Sequence, residues 1–166
     1  MTDKVAFIGI GRMGGPMAKH LVAAGHEVAV FDIDRKKVEN FVADHGARHA
    51  TSAADAAENA VYVATCVGGD TESLEVTQGE TGAFRTLAPD AVFVDHNTMT
   101  AQAAEETAEA AGAQDIHYLD APVSGAEELA NAGELAVMIG GSKDGMVKAR
   151  PFLDAYAKIV EHIGPS

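Results

Sequence analysis

Six residues near the start of the chain, Gly9-Ile10-Gly11-Arg12-Met13-Gly14, restrict its fold more than any other segment. They join an apolar run at 5–9 to a stretch at 12–24 in which Met13, Met17, Leu21 and Ala24 recur at helical spacing. The pattern is strand, tight turn, helix. Each glycine answers a separate steric demand: Gly9 permits the sharp turn, Gly11 carries no Cβ to block a ligand approaching the backbone, and Gly14 lets the helix lie close to the strand. The helix that follows then presents unpaired N–H groups and a partial positive charge at its start, which is an anion site.

The same alternation continues. Residues 27–31 read as a second strand, and 35–44 place Val38, Phe41 and Val42 on one helical face. Branched apolar runs at 60–67, 91–95 and 116–120 have the character of buried parallel strands, with alanine-rich helical stretches between them. Thr100 is the expected N-cap of a helix over 100–111 whose Glu105, Glu106 and Glu109 face solvent. A further strand at 135–140, a turn at Gly140-Gly141, a helix at 142–156 and a last strand at 159–163 complete the chain. Strands separated by crossover helices build a parallel sheet, because a hairpin cannot join parallel neighbours. The expected fold is α/β: a Rossmann-like doubly wound, mainly parallel sheet with helices on both faces, forming one domain over residues 1–166.

An apolar share of 47% and a charged share of 22% are those of a globular protein and exclude wholesale disorder. The 12 basic and 25 acidic side chains leave a net charge of −13, which repels a phosphate backbone, and no basic cluster reverses the sign locally; nucleic acid is excluded as a partner. No apolar run approaches the roughly 18 residues of a membrane helix, and the chain opens directly into a strand pattern, so a soluble, cytoplasmic protein is expected. Cys66 is the only cysteine, which rules out an internal disulfide and a thiolate metal cage. With no basic neighbour in sequence, it reads as a buried strand-end thiol rather than a nucleophile. The seven histidines show no spacing that makes a metal site.

The second strand ends in Asp32, 18 residues beyond Gly14, where a carboxylate accepts hydrogen bonds from the hydroxyls of an adenosine ribose. It would also repel a 2′-phosphate, by roughly 4 kcal/mol at 4 Å in an effective dielectric of 20. NAD is therefore the expected cofactor and NADP the less favoured one, with Arg35, Lys36 and Lys37 close enough in sequence to offset the difference. A methyltransferase site also carries a glycine-rich first turn and an acid after the second strand, so the glycine loop alone leaves both readings open. Ligands of open α/β sheets bind outside the carboxyl ends of the strands. Three loops stand there: Cys66-Val67-Gly68-Gly69-Asp70, Asp95-His96-Asn97-Thr98 and Asp120-Ala121-Pro122-Val123-Ser124-Gly125. The first is placed to cover a cofactor, His96 is a candidate cofactor contact, and Gly125 allows backbone N–H groups near a ligand carboxylate.

The run from Phe7 to Gly14, continuing through Pro16-Met17-Ala18 to Leu21, resembles the opening signature of the β-hydroxyacid dehydrogenases, whose type member is 3-hydroxyisobutyrate dehydrogenase. Gly25-His26, Asp32, the segments from Asp95 to Thr98 and from Asp120 to Gly125, and the run from Gly133 to Gly141 fit as well. The resemblance covers the whole chain and implies nicotinamide-dependent oxidation of a small β-hydroxy acid. The cofactor-binding set it implies is Gly9, Gly11, Arg12, Met13, Gly14, Asp32, Cys66, Val67 and Thr98, with Ser124 and Gly125 holding the substrate carboxylate. Asn97 stands where the family has serine or threonine, and Ala126 where it has a second glycine. The catalytic lysine of the family lies on a helical second domain; none of Lys4, Lys19, Lys36, Lys37, Lys143, Lys148 and Lys158 matches its motif. The chain therefore reads as the cofactor domain of a longer, homo-oligomeric enzyme, without a catalytic residue or a metal of its own. The alternative is a free-standing dinucleotide-binding or redox-sensing module.

Overall fold

The computed structural model describes residues 2–165. Strands β1 (Lys4–Ile8), β2 (Glu27–Phe31), β3 (Arg48–His49), β4 (Tyr62–Thr65), β5 (Val92–Asp95) and β6 (His117–Asp120) lie in the order β3-β2-β1-β4-β5-β6, every neighbouring pair parallel. Helices α1 (Gly14–Ala23), α2 (Arg35–His45), α3 (Ala53–Ala57), α4 (Asp70–Gln78) and α5 (Ala101–Gly112) make the crossovers. Strand order reverses direction between β1 and β4, which opens a crevice at their carboxyl ends. The last third adds β7 (Val123–Ser124), α6 (Ala126–Ala132), β8 (Leu135–Gly141), α7 (Lys143–Leu153) and β9 (Ala157–Gly164). Strand β8 runs antiparallel to β6 and β7, which meet successive stretches of it, and β9 runs parallel to β8 on its other side. Among the described residues no helix is long and apolar enough to cross a membrane.

The sheet buries both faces, and the period of two decides which residue serves which. Val5 and Phe7 of β1 join a core under α1, α2, α6 and α7, whereas Ala6 and Ile8 join one under α3 and α5. Helix α1 buries Gly14, Met17, Ala18 and Leu21, one stripe at i, i+3, i+4 and i+7. The expected helix at 12–24 is thus shorter at both ends, and Ala24 is exposed. Asp34 caps α2 by accepting the N–H groups of Lys36 and Lys37, and Thr100 caps α5 as expected. Strand β3, α3, β7 and α6 were not read from the sequence: at two to seven residues they are too short to show a period.

Helix α1 crosses the sheet at contact distance. A Cβ on Gly14 would lie 1.9 Å from the Gly9 carbonyl oxygen, and one on Gly9, whose φ is +85°, would lie 2.4 Å from the Cys66 carbonyl oxygen. Neither neighbour is a flexible side chain, so the backbone itself would have to move. Gly15 is different, because its added Cβ meets only the Ile10 carbonyl at 3.4 Å. Gly14→Ala is therefore expected to destabilise the domain by about 3 kcal/mol or more, and Gly15→Ala by less than about 1 kcal/mol. Urea unfolding of the two variants checks this, and equal midpoints would refute the close crossing.

Candidate functional site

The carboxyl ends of β1, β2 and β4 enclose a groove of about 540 Å³. Gly9 and Gly11 form its floor, Phe31, Asp32, Ile33, Asp34 and Lys37 one wall, and Cys66, Val67, Gly68 and α4 residues Thr71, Glu72, Glu75 and Val76 the other. The three glycines divide their work as the sequence suggests. Gly9 and Gly14 have no room for a side chain, whereas a Cβ on Gly11 would meet nothing within 4 Å. The space over Gly11 is open to the groove.

Asp32 ties this loop to β2. Its Oδ2 accepts the Ile10 N–H at 3.0 Å and its Oδ1 accepts the Asp34 N–H at 2.9 Å, while Gly9 donates to the Phe31 carbonyl at 2.8 Å. Beside it, Ile33 is 95% exposed, an isoleucine held in solvent at the groove wall. An apolar side chain so placed suits the flat face of an aromatic base. Sequence reasoning passed over it, although an isoleucine between two acids directly after a strand was the available signal. Lys37, named from sequence as a cation near the ribose, does line the groove, whereas Thr71, Glu72, Glu75 and Val76 were missed, since α4 gave no clear period.

Of the predicted contacts, the groove gathers Gly9, Gly11, Asp32, Cys66 and Val67. Arg12 stands exposed beside it, Met13 precedes α1 without a capping hydrogen bond and packs on the core, and Gly14 is the first residue of α1, buried against Gly9. Thr98 is exposed beyond β5, and Ser124 is exposed on β7, both outside the groove lining. Cys66 is half-buried, and burial with the nearby Asp95 charge pushes its thiol up to about 11, so it is no thiolate at neutral pH.

The exit of β5 is a buried polar knot. Asp95 is wholly buried, and burial raises its carboxyl above the usual range. Its Oδ2 accepts Ser73 Oγ at 2.5 Å and the Tyr118 hydroxyl at 3.3 Å, and its Oδ1 accepts the Asn97 N–H at 3.0 Å. Asn97 Oδ1 in turn accepts the Val67 N–H at 2.6 Å, fixing the loop after β4. His96 does not face the groove. It is 4% exposed, with Nδ1 against the Ala121 carbonyl and Nε2 against the Tyr156 hydroxyl, and burial pushes its ring down to about 4.

Past β7, the chain turns through Gly125 at φ +137° and Ala126 at φ +52°. Ala126 is the residue that replaces a glycine in the family resemblance, and it occupies the left-handed region without glycine's freedom.

Residues 4–164 match the family described as the NAD binding domain of 6-phosphogluconate dehydrogenase. The chain is 40% identical to 3-hydroxyisobutyrate dehydrogenase of Pseudomonas aeruginosa, over 99% of this chain and 54% of that protein. It is 35% identical to the NAD-dependent L-serine dehydrogenase of the same organism, over 98% of this chain and 54% of that protein. The solved structure of Mycobacterium tuberculosis 3-hydroxyisobutyrate dehydrogenase with L-serine superposes with a TM-score of 0.91 at 34% identity, covering all of this chain (100%) and 56% of that one. The chain spans about half the length of the curated relatives it matches.

Two outcomes are expected from this geometry. The unfolded chain protonates His96 near 6.5 and the folded chain only near 4, so stability present above pH 6.5 is lost as pH falls through that window, by about 3 kcal/mol. Asp95 acts with the opposite sign, and Tyr62, Tyr156 and Cys66 stay neutral there, so the quantity to measure is the difference between the native chain and His96→Asn in urea unfolding at pH 7 and pH 4. Identical pH slopes would sink the assignment. Ala126→Gly removes a left-handed cost of about 1–2 kcal/mol and adds unfolded-chain freedom of about 0.4–1 kcal/mol, for a net stabilisation of up to about 1.6 kcal/mol; a lower denaturation midpoint would contradict the strain.

Proposed function

The chain belongs to the family of 6-phosphogluconate dehydrogenase NAD-binding domains, and on that premise we propose that residues 1–166 are the cofactor domain of a longer dehydrogenase that oxidises a small β-hydroxy acid. The observation that carries this reading is the glycine floor: closed to any side chain at Gly9 and Gly14, open at Gly11, with the Asp32 carboxylate at the rim. Backbone N–H groups of the loop from Gly9 to Gly14, with exposed Arg12 and with Met13 holding the start of α1, bind the pyrophosphate. Asp32 takes the ribose hydroxyls, Ile33 and the Cys66-Val67 loop flank the base, and Thr98 contacts the nicotinamide end.

Bound NAD supplies a hydride acceptor. The residues of this chain orient and exclude: Ser124 and the Gly125 backbone hold the substrate carboxylate, and α4 shields the groove from water. The relatives named for 3-hydroxyisobutyrate and L-serine act on acids that share a carboxylate and a hydroxyl on the β-carbon, which is the substrate class proposed here. Proton transfer needs a group within hydrogen-bond reach of the reacting oxygen, and no side chain of this chain is assigned that part. The general base is assigned to a second domain.

NAD is the proposed partner over NADP. Asp32, Asp34, Glu72 and Glu75 line the groove against the single cation Lys37, and Arg35 is turned along α2 to Glu39, with Nε 3.0 Å from Oε1. A 2′-phosphate would enter a field of its own sign. In a fluorescence titration, NADH should saturate the chain, NADPH should bind at least about tenfold more weakly, and Gly11→Asp should lose at least about 100-fold in NADH affinity. Equal or tighter NADPH binding would overturn the cofactor preference. The isolated chain should show no turnover of 3-hydroxyisobutyrate, and measurable NADH production from it would overturn the assignment of the base to a second domain.

A further inference from the structure

A row of buried polar groups crosses under the sheet, outside the groove: Tyr62 at the start of β4, Tyr156 between α7 and β9, and His96 one residue past β5. The Tyr62 and Tyr156 hydroxyls are hydrogen-bonded to each other. The Tyr156 hydroxyl lies 2.8 Å from His96 Nε2, and His96 Nδ1 lies 2.7 Å from the Ala121 carbonyl oxygen. Elementary chemistry places every proton. A carbonyl only accepts, so Nδ1 carries the hydrogen and donates it to Ala121. The neutral ring keeps its lone pair on Nε2, which accepts from Tyr156, and Tyr156, having given its only hydrogen, accepts from Tyr62. The bonds run one way, from Tyr62 to Tyr156 to His96 to Ala121. A second proton on the ring would make Nε2 a donor to Tyr156 and leave one of the two hydroxyl hydrogens, of Tyr62 or of Tyr156, without an acceptor, a costly state in a buried place.

The row ends where it matters for the loops. The Ala121 N–H donates to the Asp95 carbonyl at 2.8 Å, so this residue is held at both its polar groups, and Pro122, Val123, Ser124 and Gly125 follow directly. His96 donates its own N–H to the Thr65 carbonyl at 2.9 Å, continuing the strand register. Successive side chains of an extended segment point to opposite faces. His96 therefore reaches toward Tyr156 and Ala121, while Asn97 reaches the other way to the Val67 N–H. Thr98 emerges just after the two clamps.

We infer that His96 is a positioning residue: its Nδ1–H on Ala121 sets the loop bearing Ser124 and Gly125 in register with the cofactor loop that Asn97 holds at Val67. The functional meaning of the two loops rests on the reading proposed above; the hydrogen-bond row does not. Histidine suits the position because one planar ring spans Ala121 and Tyr156, and so joins the β6–β7 connection to the α7–β9 junction.

Long-range ¹H–¹⁵N spectra of the 166-residue chain read the ring directly. The expected signature is a neutral Nδ1–H tautomer at pH 7, still neutral at about pH 5.5; the Nε2–H tautomer, or a charged ring at that lower pH, overturns the inference. His96→Leu removes the donor, and His96→Asn restores an N–H at the same number of bonds from Cβ. Amide exchange at Val123, Ser124 and Gly125 should rise at least about tenfold in the leucine variant and return to within about threefold in the asparagine variant. Unchanged exchange in the first, or no recovery in the second, refutes the positioning role. Should the leucine variant not fold, His96→Gln serves in its place: its amide stands one bond further from Cβ and misses the Ala121 carbonyl, so exchange at residues 123–125 should again rise at least about tenfold. A flat exchange profile there refutes it equally. If the native chain binds no NADH, the cofactor reading fails, while the spectra and exchange rates still decide the role of His96.

Discussion

Helix α1 passes so close to the ends of β1 and β4 that a single carbon atom at Gly9 or Gly14 would overlap backbone oxygen. That crossing aims the N-terminus of α1 at the crevice where strand order reverses, and neighbouring parts are located from it. Gly9 is bonded to the end of β2 through Phe31, and the Asp32 carboxylate returns the link by accepting the Ile10 N–H. The glycine turn and the acid after β2 are thus one mechanical unit. Asp32 therefore has a structural duty of its own.

A protein of net charge −13 carries here a partial positive charge that a residue count does not show. The unpaired N–H groups at the start of α1 are partial charges held by backbone geometry, and they act over a few ångströms, where distant carboxylates are screened. The acids that line the groove, Asp32, Asp34, Glu72 and Glu75, come from the end of β2, the start of α2 and from α4, and they make that part of the groove negative.

The strands, helices and caps with strong local signals were legible from residues alone. Strand β2 was read at its observed bounds; α2 and α5 came within one or two residues, because Val38 and Phe41 carry the period of α2 and Thr100 marks the start of α5. Residues 48–57 and 123–132 were not, since a two-residue strand pairs only because a neighbour is there, and the two positive φ values that open α6 include one alanine. At the site, the glycines and Asp32 could be identified from spacing. Ile33 left only the signal of an apolar residue between two acids, and the α4 wall left none, because the exposure of a side chain is decided by its surroundings. His96 was read as facing the ligand edge, yet it lies two residues past Val94, a member of the core under α7, and the period of two already assigned its face.

What the sequence determined by itself is therefore everything that rests on local sterics and periodicity: the alternating elements, the turn that only glycine allows, the acid that ends β2, and the family to which these belong. The tertiary structure decided which polar groups meet. Asp95 with Ser73, Asn97 with Val67, and His96 with Tyr156 and Ala121 are separated by 22 to 60 residues along the chain. The reason is physical: a parallel sheet sets side by side residues that its crossover helices hold apart in sequence, and burial then compels their donors and acceptors to pair.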